Sequence, residues 1–403
     1  MASFNLLSPF LDMRCLRPSL YIITGISYWE CLSSNDLINI VNKYSKNEEY
    51  NFTGYLMYKD KQVAEIKDTE FVKSLDDNLL PVIMINKNIG SLEAWLQTRV
   101  IDTHRTNSRQ VRRRLSVRSE VPREIVIKAR AISITDSYWL KWINEDITYN
   151  DVRSRLSDGL NTIALYGNST EINFQDLDIS PELTNIGSFE KCWKHIDGYW
   201  YMIKKGTYKE NFAEVLIANI AINLGFNAVK YEAIEDGALV KCKDFTNNCE
   251  VDFEPMFSFV REYWEIDDSI GIIKELGYIE DFLNITFMDA MCYNIDRHTF
   301  NFGILRKDGE PVGLAPNFDN NLGLSGVLNN SGLENTWYST AFTRNNYKPI
   351  LEEYNYAVPK IDLEEIKEII NDTLKGFSSL KSESGFSETV FKIIKNNYEE
   401  LLQ

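Results

Sequence analysis

An Asp308-Gly309 pair separates two apolar runs, "NFGIL" before it and "VGLAPNF" after it. Few dipeptides restrict a chain so strongly, because both residues tolerate the positive φ of a two-residue hairpin turn. Folding about this turn pairs residues whose numbers sum to 617, which sets Asn301 opposite Pro316 and near Asn317, Phe318 and Asp319. Asp296 enters the same corner from the loop "NIDRHTF". Three oxygen-bearing side chains are therefore expected to meet.

Phosphoryl transfer is the chemistry that needs such a set. Mg²⁺ takes oxygen ligands, usually one or two side chains together with nucleotide phosphates and waters. Asn301 and Asp319 are the candidate metal ligands, and Asp296 is the candidate base that orients and deprotonates an attacking hydroxyl. His298 either shapes the loop or touches a phosphate. Asn and Asp also populate turns for their own backbone hydrogen bonds, but the hairpin and Asp319 together favour the chemical reading.

A phosphoryl-transfer site also needs a cation for the nucleotide phosphates. "GYWYMIKKG" ends in Lys204 and Lys205, which point to opposite faces of a regular strand, so one of them can reach the site. The next run, "ENFAEVLIANIAINLGF", is apolar nearly all round and predicts a buried helix stopped by Gly225. Glu214 inside it requires a cationic partner, and a Lys–Glu pair would hold the lysine in place. Upstream, Gly187 in "NIGSFEKCW" offers a turn at which backbone amides can approach phosphate.

Short strand-like runs dominate the stretch around "GYWYMIKK" and "NAVKYEAIEDGALVKCKDF", with turns at Asp197-Gly198 and Asp236-Gly237. Beyond residue 255 the period becomes helical, as in "IEDFLNITFMDAMCY", "DLEEIKEIINDTLKGF" and "SETVFKIIKNNYEELL". Near the start, 20–25 and 54–59 read as strands around a helix capped by Ser34 or Asn35, and "PVIMINK" (81–87) reads as another β-rich run. A helix carrying Leu92, Trp95 and Leu96 follows. Three segments result: a small α/β unit of unassigned role over 1–95, a β-rich lobe with a basic leader over 96–255, and a helical lobe over 256–403. The fold class is α+β and bilobal.

A net charge of −16 argues against general affinity for nucleic acid. The exception is 99–130, where ten Arg/Lys face three Asp/Glu. It reads either as a contact for nucleic acid or an acidic partner, or as a helix face of solvated and paired arginines, with the second favoured. Six scattered cysteines lack a C-x-x-C pair, which argues against zinc and a disulfide framework. No apolar run is long enough to span a bilayer, and the first residues lack a secretory layout, so a cytoplasmic protein is expected.

"NIDRHTFNFGIL", "LAPNFDNNLGL", "WYMIKKG", "NFAEVLIANIAINLGF" and "SPELTNIGSFEKCW" resemble the HipA-like serine/threonine kinases, relatives of the phosphatidylinositol 3/4-kinases. "EAWLQTRVIDTHR" and "ISITDSYWLKW" look like the leader of a phage- and Firmicutes-type branch, and the likeness covers roughly 92–403. It implies a protein-kinase-like fold, ATP and Mg²⁺ as cofactors, and transfer to Ser or Thr of a protein, with an antitoxin or regulatory partner of the toxin type. By the same resemblance Asp296 is the catalytic aspartate, Asn301 and Asp319 bind magnesium, and Lys204 rather than Lys205 is the ATP lysine, partnered by Glu214. Gly187, Ser188, Phe189 and Lys191 fall in the phosphate loop, with Ser188 the candidate for autophosphorylation. Lys243 and Phe245, within "CKDF", fall at the adenine-binding hinge. Two alternatives are a lipid or small-molecule kinase, suggested by the "DRH" spelling, and a kinase-like binding module without turnover.

Overall fold

A computed structural model describes residues 51–85, 92–99, 126–153, 165, 190–260, 266–324, 328 and 335–403. The chain divides into a unit of residues 1–51 and a unit of 52–403, and the architecture below is that of the second. The expected strand at 20–25 and helix near 34 lie outside the described residues.

The first sheet has the order β3-β2-β1-β4, built from β1 (Gly54–Tyr58), β2 (Lys61–Lys67), β3 (Glu70–Ser74) and β4 (Tyr138–Trp142). Strand β1 pairs antiparallel with both β2 and β4. Gly54 is required there, since a Cβ would stand 2.1 Å from the Lys141 carbonyl oxygen. This sheet runs across residue 95, where the sequence suggested a boundary, because β4 supplies the backbone partners that β1 needs.

The segment 81–87 differs from its β-rich reading. Val82–Ile85 form a single helical turn in which Met84 and Ile85 donate to the Pro81 carbonyl. Short apolar runs are ambiguous between strand and helix, and here core contact decides, with Ile83 and Met84 buried. Helix α1 (Leu92–Gln97) follows, burying Leu92, Trp95 and Leu96 as expected.

At the ends of the basic segment, two arginines make structural pairs. Buried Arg99 reaches Asp136 at 2.6 Å, and Arg130 forks onto Glu145 at 2.6 and 2.8 Å. Residues 100–125 lie outside the described residues.

The second sheet has the order β5-β6-β8-β7, from β5 (Glu190–Ile196), β6 (Tyr199–Lys205), β7 (Tyr231–Ile234) and β8 (Leu239–Lys243). Asp197 and Gly198 have φ of 51° and 85° and join β5 to β6 by the expected tight turn. β7 and β8 are joined by four residues, Glu235 to Ala238, around the Asp236-Gly237 pair.

Helix α2 (Tyr208–Asn223) starts with a capping box, in which Thr207 and Glu210 each accept the other's backbone N–H. It is buried on nearly every side because the second sheet covers one face and the C-terminal helices the other.

The third sheet combines β9 (Asp252–Pro255) with the hairpin β10 (Gly303–Lys307) and β11 (Glu310–Leu314). The pairing begins at a sum of 617, Lys307 with Glu310, but a bulge at Leu305/Arg306 moves Ile304 opposite Leu314. Asn301 therefore does not lie opposite Pro316; it sits in the turn before β10. β9 pairs with β10, so it belongs with the hairpin of the helical half despite preceding residue 256.

Helices α3 (Ile266–Glu275), α4 (Ile279–Met291), α5 (Asn335–Phe342), α6 (Leu363–Thr373) and α7 (Phe386–Leu401) complete the architecture. The main core runs without a break from Trp200 and Met202 of the second sheet through α2 to α4, α6 and α7. A β-rich lobe and a helical lobe are thus joined through α2, which is the bilobal α+β arrangement. No helix among the described residues is long and apolar enough to cross a membrane.

Arg306 locks the hairpin to the preceding segment. It donates to the carbonyls of Leu80 and Gly309 and pairs at 3.3 Å with buried Glu254. Replacing it by alanine strands the Glu254 carboxylate, so Arg306→Ala should lose about 3–5 kcal/mol in denaturant unfolding. A loss below about 1 kcal/mol would contradict this packing.

Candidate active site

Helix α4 ends at Met291, and Tyr293 turns the chain with φ 51° into the polar loop that begins at Asn294. Arg297 organises this loop from a fully buried position. Its Nε and Nη2 form a fork on Asp289 of α4, both at 2.8 Å. Its Nη1 donates to the carbonyls of Asn301 at 2.9 Å and Phe318 at 3.0 Å, and Nη2 also donates to the side-chain oxygens of Asn317 and Asn320. One guanidinium thus ties the loop, the helix and the segment after the hairpin together.

Within the loop Asn301 acts as a staple. Its Oδ1 accepts the His298 N–H at 3.0 Å, and its Nδ2 donates to the Asp296 carbonyl at 2.8 Å. Asn294 Oδ1 accepts the Asp296 N–H, while Asn294 Nδ2 donates to Asp289. These bonds hold the backbone of Asp296 on both sides. Its carboxylate accepts no hydrogen bond among the described residues.

From the other lobe, Lys204 Nζ reaches Asp319 Oδ1 at 2.8 Å, Glu214 Oε2 at 3.2 Å and the Tyr231 hydroxyl at 3.5 Å. The ammonium has three donors and meets three acceptors. Lys205, one residue on, points to the opposite face and pairs with Glu190 at 3.1 Å. The expected strand-to-helix Lys–Glu pair is thus present, with Lys204 as its lysine. Glu214 also binds the segment after the hairpin, accepting the Asn320 N–H at 3.1 Å.

Electrostatics separate the two aspartates. Burial, helped by the Asp319 charge, pushes the Asp296 carboxyl up to about 6. Burial disfavours the charged form of Asp319 as well, but the Lys204 and Lys191 ammonium groups outweigh it and hold this carboxyl well below the usual range. For Lys204 burial is again outweighed, here by Asp319 and Glu214, so it stays charged. Burial lowers the His298 imidazole to about 4, leaving it neutral at pH 7. Its Nδ1 accepts the Phe300 N–H at 3.2 Å, which makes Nε2 the protonated nitrogen and gives the ring a loop-shaping contact.

Several residues singled out in the sequence therefore share this region: Lys204, Glu214, Asp296, His298, Asn301 and Asp319. Lys191 is the cross-strand partner of Lys204 and acts on both Asp319 and His298. The Phe245 ring stands 5.4 Å from that of Phe318, with Phe253 completing an aromatic triangle beside Asp319. Lys243 is not brought in. It pairs with Tyr201 on the face opposite Lys204, and its ammonium lies 3.3 Å from the centre of the Tyr199 ring. Gly187, Ser188 and Phe189 lie outside the described residues.

The donor set suits a hard cation. Asp319 offers a carboxylate whose Oδ2 accepts no hydrogen bond among the described residues, and Asn301 Oδ1 keeps one lone pair beyond its bond to His298. No group of three His, Cys, Asp or Glu side chains able to hold a metal gathers among the described residues, so phosphate and water would complete the coordination.

Sequence reasoning missed Arg297, Asp289, Asn320 and Tyr231. A signal existed for the first pair: an acidic residue on the buried face of α4 needs a cation, and the nearest arginine downstream is Arg297. Tyr231 gave no signal, because it reads as an ordinary strand aromatic.

A β-rich lobe joined through a buried helix to a helical lobe is a fold that this chain shares with a solved HipA. HipA of Shewanella oneidensis MR-1, solved with HipB and operator DNA, matches with a TM-score of 0.55 at 12% identity, over 86% of this chain and 97% of that one. The Helicobacter pylori proinflammatory kinase CtkA matches over 52% of this chain and 88% of its own, at 20% identity and a TM-score of 0.39. No family model and no curated protein matches the sequence.

Because Arg297 holds six acceptors, Arg297→Ala leaves Asp289 as a buried unpaired charge. Chemical denaturation should register a loss of about 3–5 kcal/mol, and Arg297→Lys, which keeps the charge without the fork, should recover only part of it. Wild-type stability in the alanine variant would remove Arg297 from its central place.

Proposed function

We propose that this chain is an ATP- and Mg²⁺-dependent kinase that transfers the γ-phosphate to Ser or Thr of a protein, with Ser188 of its own loop as one acceptor. The observation that carries this reading is the Lys204 ammonium, held between Glu214 and Asp319 beside the Asp296 loop. Such a cation, buried and fixed from two sides, would meet the nucleotide phosphates. Lys191, charged and close to Asp319, would add to the same field.

Asp296 would accept the proton of the attacking hydroxyl. Its raised pKa makes it a better proton acceptor than a solvated carboxylate, while leaving it mostly ionised at pH 7. Asn301 and Asp319 would hold Mg²⁺, which when bound neutralises charge on the phosphates. His298, neutral and bonded to the Phe300 amide, would keep the loop in shape rather than bind phosphate as a cation. Phe245, packed with Phe253 and Phe318, would lie against the adenine ring in this reading. The Shewanella HipA was solved with HipB and DNA, and a regulatory partner of antitoxin type, acting with this kinase in the cytoplasm, belongs to the same reading.

Purified protein incubated with labelled ATP and Mg²⁺ should incorporate phosphate, with Ser188 among the modified residues in phosphopeptide mass spectrometry. Asp296→Asn should lower transfer by about 10²–10⁴-fold while retaining nucleotide binding. Asp319→Asn should instead weaken Mg²⁺-nucleotide binding itself. Absence of any transfer by wild type to itself or to host proteins would sink the proposal.

The carboxylate form of Asp296 is the active one, so kcat/KM should fall as pH drops through about 6 and stay level above it. A profile flat down to about pH 5 would take the base role away from Asp296.

A further inference from the structure

We propose that the Tyr231 hydroxyl is a positioning group of this site, setting the Asp319 turn against Lys204. The inference rests on the kinase reading and adds a residue to it. Tyr231 lies in β7, is 3% exposed, and faces Cys242 across the strand pair. Its oxygen is 3.4 Å from the Asp319 amide nitrogen and 3.5 Å from Lys204 Nζ, and the Lys204 ammonium lies 5.2 Å from the ring centroid. Both nitrogens are donors, so the phenol oxygen accepts from each with its two lone pairs. Cys242 is its cross-strand neighbour, and the hydroxyl proton points away from the two donors. Burial, with the charge of Glu214 behind it, keeps the phenol protonated.

These contacts matter because of the conformation they hold. Asp319 has φ 61°, a region that residues with a Cβ adopt at a cost. The turn is tied to the other lobe by two successive amides, Asp319 N–H on Tyr231 and Asn320 N–H on Glu214. Glu214 sets where the turn passes. Tyr231 fixes the residue whose carboxylate must face Lys204, and the same oxygen steadies the ammonium. Removing the hydroxyl leaves the ring, its volume and its contact with the cation in place, but strands the Asp319 N–H.

The test compares wild type with Tyr231→Phe in steady-state phosphate transfer at varied ATP and saturating Mg²⁺, with far-UV circular dichroism to establish folding. KM for ATP should rise about tenfold while kcat stays within about threefold, since ground-state binding of the Mg²⁺-nucleotide is what the hydroxyl prepares. A variant with wild-type KM overturns the positioning role and leaves the kinase reading intact. A wild type that neither binds nor turns over ATP sinks the kinase reading first. If the Phe variant does not fold, amide hydrogen exchange in the wild-type protein decides. The Asp319 amide should be protected to a degree similar to that of Asn320, and exchange at the rate of an open loop overturns the proposal.

Discussion

The Arg297 guanidinium is the interaction on which the site depends. Its fork on Asp289 uses two N–H groups, and the rest go to carbonyls or amide oxygens on both sides of the hairpin. Because the ion is buried, every one of these bonds is needed: an unsatisfied charged donor away from water is far costlier than a neutral one. The carboxamide partners make sense on the same ground. Asp289 already balances the charge, so neutral oxygens from Asn317 and Asn320 complete the shell without adding a second negative charge. The cost falls on their own nitrogens, which are buried and find no hydrogen-bond partner among the described residues. The chain tolerates two unsatisfied amide donors in order to satisfy one ion.

This frame explains how Asp296 and Asp319 come to differ in character. Both are carboxylates near the same loop, and both lose solvent. Asp319 meets Lys204 directly and remains ionised, whereas Asp296 has no hydrogen-bonding cation and feels Asp319 as a like charge. A carboxylate held ionised and one that takes a proton more readily thus arise from one residue type by placement alone.

Much of this was legible in the sequence, and the reasons are specific. Glu214 stood out because a carboxylate in an apolar helix must have a partner, and strand alternation narrowed the lysine to one of two. The Asp-Gly hairpin announced that the segments around Asn301 and Phe318 would meet although far apart in number, and Arg297 Nη1 bonds the carbonyls of both. What the sequence did not disclose depended on tertiary context. The bulge in β10 shifted the register by one, and the apolar run at 82–85 took a helical turn that buries Ile83 and Met84. Lys243 was placed by resemblance to a hinge, yet strand parity sends its side chain to the far face.

Helix α2 is held from the helical lobe as firmly as from the sheet. Phe212 meets Phe377 and Phe386 edge-on, Asn219 donates to Thr373, and Asn223 donates to Glu365. Gly237, at the end of the sheet, has no room for even a methyl group because the Phe377 ring fills the space, 2.1 Å from where a Cβ would be. Swinging this helix outward to part Glu214 from Lys204 would break all of these contacts together. The Lys204–Glu214 pair is thus built into the packing that joins the two lobes.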